Sequence, residues 1–250
     1  MKQLTKLVFD FNFNQDAIDK ISQFKPINRD KLGLDMGMDD FAPQVRERLT
    51  TILEKLEGKA KTEGTTFIVD ICKALLNDVL FEGSEAFYRS LLAKQRAGPV
   101  VLSHCDPNET NVLASKRDFE QMMLIDYEFA DWNPLATDIA IIFNELTCDN
   151  AAPHSNFNSG VRYYESNFPT RSEMECVASE YLRHYFFQVE DKDGSTAQFQ
   201  SWLESRLPSF MEEIQHCCIL VNFNWICAVI MMMKEDEECD AGIFNWEYCR

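Results

Sequence analysis

Apolar residues recur every three or four positions over most of this chain and gather into short runs only near its middle. Residues 42–57, APQVRERLTTILEKLE, place Val45, Leu49, Ile52, Leu53 and Leu56 on one face of a helix. Pro43 suits its first turn and Gly58 its end. Residues 67–79 predict a second helix with Ile68, Ile71, Leu75 and Leu76 inward, and Ser84 is expected to cap a third, 85–96, that Gly98-Pro99 closes. The pattern then changes. Pro99-Val100-Val101-Leu102, Val112-Leu113-Ala114 and Met122-Met123-Leu124-Ile125 read as three short strands, with Ser115-Lys116-Arg117-Asp118 as the turn between the last two. Thr137-Asp138 opens another helix, with Ile139, Ile142, Phe143 and Leu146 on its buried side. Thr170-Arg171-Ser172-Glu173 is a capping box that starts a helix over 171–188, followed by a loop at 190–194. Pro208 is expected to separate a helix at 196–206 from another at 209–234. Glu235-Asp236-Glu237-Glu238 reads as a solvated acidic turn before a last short helix at 241–249. The first forty residues are the least patterned: Leu7-Val8-Phe9 fits a strand end or a short helix, and the Gly33/Gly37 region fits a loop. The fold class is α+β, mainly α, with a small β-hairpin core surrounded by helices.

Composition narrows the partners. The 250 residues are 46% apolar and 26% charged, an ordinary globular mixture. A net charge of −17 disfavours nucleic acid and anionic membranes and favours a cationic ligand. The nine cysteines are scattered without a CxxC or a His/Cys cluster, which points to reduced thiols and a cytoplasmic location. Residues 219–233, ILVNFNWICAVIMMM, are interrupted by Asn222 and Asn224 and are short for a membrane span, so a buried core helix is expected. The N-terminus, MKQLTKLVFDFNF, has no cleavable signal pattern.

The candidate chemistry sits in 98–149. Ser103-His104-Cys105-Asp106 follows the first strand, Asn111 lies five positions after Asp106, and Asp126 fifteen after that, at the end of the third strand. Phosphoryl transfer from a nucleotide needs a carboxylate to orient the attacking hydroxyl and oxygen ligands for the bridging magnesium. Magnesium takes one or two protein oxygens and keeps several waters. Asp106 is the candidate for the first role, and Asn111 and Asp126 for the second. Gly33-Leu34-Asp35-Met36-Gly37 lacks the spacing and the flanking strands of a phosphate-binding glycine loop.

HCDPNETNVL followed by LIDYEFADWNPLATDIAIIFNE resembles the choline/ethanolamine kinases, which share the protein-kinase-like fold. The likeness is continuous over 99–149, diffuse over 160–250 and faint before 98. Aminoglycoside phosphotransferases share some of the pattern, but Tyr127-Glu128-Phe129, Asn133 and Asn144-Glu145 fit the choline/ethanolamine branch better. The resemblance implies ATP and Mg2+ as co-substrate and cofactor, and choline or ethanolamine as acceptor. It makes Asp138 a buried acid that hydrogen-bonds the catalytic loop, His104 and Glu128 structural supports, and Glu145 the carboxylate beside the substrate's ammonium. Trp225 and Trp246 would supply aromatic faces for that cation. Two positions depart from the family: Ala228 stands where a second Trp is common, and Asn150 where a Tyr is common, so a weak preference between choline and ethanolamine is expected. Some relatives form homodimers.

The whole chain, 1–250, reads as one partial kinase-like domain: a mainly helical segment 1–97, a catalytic and metal-binding core 98–149, and a helical substrate-side subdomain 150–250. A kinase of this fold also needs a glycine-rich turn over the phosphates and a strand lysine, and residues 1–97 show neither. The expectation is therefore the large C-terminal lobe of such a kinase. Two functions follow: a phosphotransferase for choline or ethanolamine, or a non-catalytic binding or dimerisation module on the same fold.

Overall fold

A computed structural model describes residues 2–57, 63–81, 83–117, 121–149 and 162–232. Among the described residues, five α-helices precede the loop 104–111: α1 Lys2–Asn12, α2 Gln15–Phe24, α3 Ala42–Glu57, α4 Glu63–Ala74 and α5 Ser84–Arg96. Strands β1 Val100–Ser103, β2 Val112–Ala114, β3 Met122–Leu124 and β4 Asp131–Pro134 follow. Then come α6 Thr137–Glu145, strands β5 Cys148–Asp149 and β6 Arg162–Tyr163, α7 Arg171–Tyr185 and α8 Thr196–Met232.

These elements cluster in two compact units. One comprises Met1–Gly33, Lys94–Glu145 and Phe168–Ile219; the other comprises Leu34–Ala93, Leu146–Asn167 and Leu220–Arg250. The first carries the loop 104–111. Its frame is the antiparallel pair β1–β4, with Leu102 opposite Trp132 and Ser103 opposite Asp131. Leu32, Leu102 and Trp132 form one buried cluster, against which Ala17, Ile18 and Ile21 of α2 pack. Lys25, just past α2, pairs with Asp131 at 2.5 Å, and its carbonyl accepts from Trp132 Nε1 at 2.6 Å. On the other side α1 packs on α7, where Phe9 meets the Tyr181 ring edge-on. A buried side chain of this size stabilises by about 1.5–3 kcal/mol. In the second unit Val45, Leu49, Ile52 and Leu56 of α3 are buried, and Tyr88 of α5 packs on Phe223 at 4.1 Å.

Several expectations change. Leu7-Val8-Phe9 lies in a full helix, α1, whose buried residues are Thr5, Val8, Phe9 and Asn12. The Gly33/Gly37 region is not a loop but short helical turns, Gly33–Asp35 and Gly37–Phe41, and the latter runs straight into α3. Winding therefore begins before Pro43. Gly37 is required there by close approach: its N–H donates to Asn224 Oδ1 at 3.0 Å, and a Cβ would lie 2.0 Å from that oxygen. The second helix starts at Glu63 rather than 67 and ends in a wider turn, Leu75–Val79. Ser84 lies inside α5, and its hydroxyl donates back to the Phe81 carbonyl at 2.8 Å instead of capping from outside. Leu146 is exposed, because α6 ends one residue before it.

The capping box at Thr170 and Glu173 is present, and α7 gives way at 186 to a wider turn, Phe186–Glu190. Pro208 does not separate helices but lies inside α8. Proline costs an isolated helix about 3 kcal/mol. Here Phe210, Met211 and Ile214 bury the turn that follows it, and Arg206 bridges across the proline to Ser209 and Glu213. The most apolar stretch of α8 is long and apolar enough to cross a membrane by length and composition, with mean hydropathy 1.6, and 44% of it is buried inside the protein. Asp118, Asn150, the acidic run 235–238, the segment 241–249 and Trp246 lie outside the described residues.

Candidate active site

The site is assembled where β1 releases the chain. Ser103 ends the strand, and His104-Cys105-Asp106 turns sharply, with Cys105 left-handed at φ 68°. That conformation costs a residue with a Cβ roughly 1–2 kcal/mol and needs external support. Asp138, fully buried in the first turn of α6, provides it: one carboxylate oxygen accepts from the His104 N–H at 2.9 Å and the other from the Cys105 N–H at 3.0 Å. Burial raises the Asp138 carboxyl above its ordinary value, against the hydrogen bonds from these two amides and from Asn12. The Cys105 thiol accepts from Asn133 Nδ2 at 3.1 Å, and burial pushes it well up, with Asp138 and Asp131 adding to the effect. It is a packed thiol, not a reactive one.

His104 is fully buried. Its Nδ1 accepts from the Asp106 N–H at 3.3 Å, and its Nε2 faces the Ile125 carbonyl at 2.9 Å, so the ring is the neutral Nε2–H tautomer. Phe11 and Tyr127 stack on each other at 5.3 Å and both meet the ring edge-on. The imidazole thus ties the loop of Asp106 to the strand that leads to Asp126.

Asp106 is half-buried. Its Oδ1 accepts from Asn108 Nδ2 and its Oδ2 from Asn111 Nδ2, both at 2.8 Å. Burial raises its carboxyl above the ordinary value, opposed by those hydrogen bonds. Asn108 is a residue the sequence reading passed over. Its Oδ1 accepts from the Thr110 N–H and hydroxyl and from the Asn111 N–H, closing the loop as an Asx turn. The run Asp-Pro-Asn-Glu-Thr-Asn was the available signal.

Asn111 is buried at the start of β2, and its carbonyl accepts from the Ile125 N–H at 3.0 Å. This places Asp126, the next residue after Ile125, beside it. Asp126 is left-handed too, at φ 65°, a conformation Asp tolerates, and its exposed carboxylate takes no hydrogen bond from a described residue. The Asn111 amide nitrogen is committed to Asp106, which leaves its Oδ1 and the Asp126 carboxylate as candidate oxygen donors at one end of the β2–β3 pair. No group of three or more His, Cys, Asp and Glu could hold a metal among the described residues. Two oxygens still fit a magnesium that takes its remaining ligands from phosphates and water.

The remaining candidates are less connected. Glu128 is exposed in the turn after Asp126 and makes no hydrogen bond to a described residue. Glu145, half-exposed, ends α6, and Trp225 is half-buried on α8.

A family model described as choline/ethanolamine kinase matches residues 36–249. No curated protein matches the chain. Among solved structures, a choline kinase from Cryptosporidium parvum Iowa II is similar at a TM-score of 0.53 and 17% identity, covering 99% of this chain and 60% of its own. An ethanolamine kinase from Plasmodium vivax is similar at 0.52 and 18% identity, covering 96% of this chain and 57% of its own. The fold is therefore protein-kinase-like, and the chain spans about 60% of the length of the structures it resembles.

Proposed function

The chain belongs to the choline/ethanolamine kinase family, and from that premise we propose that its site serves ATP-dependent phosphoryl transfer to the hydroxyl of choline or ethanolamine, a step toward the corresponding phospholipids. The observation that supports this reading is the half-buried Asp106 carboxylate clamped by the Asn111 amide, with the Asn111 carbonyl bonded to Ile125, the residue before the exposed Asp126. Asp106 orients the attacking hydroxyl and accepts its proton at a carboxylate oxygen. Its raised affinity for protons, caused by burial, suits that task. Asn111 and Asp126 hold magnesium, which when bound neutralises charge on the transferring phosphoryl group. Glu145 recognises the cationic head of the substrate, and Glu145→Gln is expected to raise KM for choline and ethanolamine alike, measured in steady state. The proposed site of action is cytoplasmic, in keeping with the scattered cysteines of the sequence.

The test is formation of phosphocholine or phosphoethanolamine from ATP and magnesium, with the Asp106→Asn chain as blank. Product that disappears in the blank supports the reading, and equal product in the blank removes Asp106 from it. Positioning supplies most of the rate in phosphoryl transfer. Described residues 2–98 form helices and turns, with no strand to carry a phosphate-gripping lysine. The 250-residue chain is therefore expected to turn over far below about 1 s⁻¹, the low end for kinases. Turnover of that order would mean that residues 1–97 hold such an element.

A second reading, a non-catalytic binding or dimerisation module, draws on one observation. The β2–β3 ribbon exposes the cross-strand pair Leu113 and Met123, and Tyr127 and Phe129 beyond it are also exposed. Dimers without nucleotide binding would favour it.

A further inference from the structure

Behind the loop that carries Asp106 lies a chain of buried polar groups that no contact with substrate explains. Tyr181, fully buried on α7, donates from its hydroxyl to Asn12 Oδ1 at 2.6 Å. Asn12, the last residue of α1, turns its amide nitrogen to two acceptors, the Leu102 carbonyl and Asp138 Oδ2, each at 2.8 Å. Only the NH2 end can serve two acceptors, so the orientation of the amide is fixed by its partners, and Tyr181 satisfies the oxygen left facing away. Asp138 passes the constraint on to the N–H groups of His104 and Cys105. Three N–H donors thus compensate one buried carboxylate, which would otherwise be costly to keep charged. Two of those donors hold the left-handed turn at Cys105, and the next residue is Asp106.

We propose that Asn12 and Tyr181 are positioning residues of the phosphoryl-transfer site: acting through Asp138, they lock the turn at Cys105 and so aim Asp106. Their catalytic relevance rests on the role of Asp106 proposed above; the network itself does not. α1 and α7 bring the two groups from far along the chain, and neither touches the reacting atoms. Asn12 satisfies the Leu102 carbonyl at the end of β1 and the acid at the start of α6 at once. It thereby fixes the spacing between the strand that enters the loop and the helix that holds it. The two acceptors keep that amide from flipping, because the other orientation would set the Asn12 oxygen against them, and Tyr181 satisfies the oxygen in the orientation they impose.

The test uses the isotope-labelled 250-residue chain and nuclear magnetic resonance. Asn12→Leu and Tyr181→Phe remove the hydrogen bonds and keep most of the volume. Phe210→Leu is the control, since the Phe210 ring stacks on Tyr181 but stands outside the hydrogen-bonded chain. Losing one hydrogen bond to a charged group is worth about 1.5–3 kcal/mol, so hydrogen exchange at the His104 and Cys105 amides is expected to accelerate about tenfold or more in Asn12→Leu. A smaller acceleration is expected in Tyr181→Phe, with the amides of the β1–β4 ladder little changed. The side-chain NH2 signals of Asn108 and Asn111, both of which donate to Asp106, should shift in the two variants and stay in place in the control. The proposal is overturned if those signals do not move, or if the loop amides accelerate only in step with the ladder, as a merely structural role would require. Should Asn12→Leu fail to fold, Tyr181→Phe decides by the same criteria. No nucleotide or substrate enters the measurement. Failure of the phosphorylation assay would leave a selective loop response standing, and an unresponsive loop would exclude Asn12 and Tyr181 even if that assay succeeded.

Discussion

The two strand pairs of the catalytic unit differ in how they are held, and the site divides between them. In β1–β4, Val101, Leu102, Ser103 and all four residues Asp131–Pro134 are buried. In β2–β3, Leu113, Ala114 and Met123 are exposed, and Leu124 is the one residue of the six that is buried. An isolated two-stranded ribbon is marginal in water. Asp106 follows the buried pair and is fixed from behind by Asp138. Asn111 and Asp126 flank the exposed pair, and the links from the ribbon to the frame include the His104 ring to the Ile125 carbonyl, the Asn111 amide to Asp106 and the stack of Tyr127 on Phe11. The group proposed to be aimed follows a buried strand pair. The groups proposed to receive a hydrated metal and phosphates flank an exposed one.

That contrast can be broken at either end. The largest effect is expected at Asp138. Asn at this position would leave at least one of three N–H donors facing another donor, and Asp138→Asn should lower stability by on the order of 3 kcal/mol in urea unfolding. A loss below about 1 kcal/mol would mean that the frame does not depend on the carboxylate. Next comes Asp106→Asn, expected to lower product formation about a hundredfold or more while leaving nucleotide affinity nearly intact. Asn108→Ala should show in the pH profile. Asn108 donates to the ionised form of Asp106, so its removal disfavours that form, and the acid limb of the activity profile should move to higher pH, whatever the loss of its loop-closing bonds does to the plateau. A limb that stayed or moved down would contradict the assignment. The smallest effect is expected on the ribbon: Leu113→Thr, at an exposed position, should change stability by less than about 0.5 kcal/mol in the same unfolding experiment.

What was legible in the sequence follows the range of the contacts. Asp106 and Asn111 meet through one loop, the hairpin that follows pairs Asn111 with the residue before Asp126, and the spacing in the chain states both. The capping box at Thr170 and the face of α3 are local in the same way. The brace is not local: Asn12 reaches Asp138 across 126 positions, and Tyr181 reaches Asn12 across 169. Nothing near Asn12 announces a partner. The α1 helix itself was hidden because two of the residues on its buried stripe, Thr5 and Asn12, are polar. β4 escaped notice for a related reason. Asp131-Trp132-Asn133-Pro134 has no apolar alternation and contains a proline, yet pairing with β1 and the salt bridge from Lys25 bury it throughout. Pro208 misled in the opposite direction, since packing of the following turn outweighed a local rule.

The most direct test of the kinase reading is a calorimetric titration of the 250-residue chain with magnesium, with and without ATP. Two oxygens, from Asn111 and Asp126, are too few for a tight isolated site, so magnesium alone should give no binding heat. With ATP present, magnesium and nucleotide should bind together, and Asp126→Asn should abolish the signal. Micromolar binding of magnesium to the free chain, or nucleotide binding indifferent to both magnesium and Asp126, would contradict it.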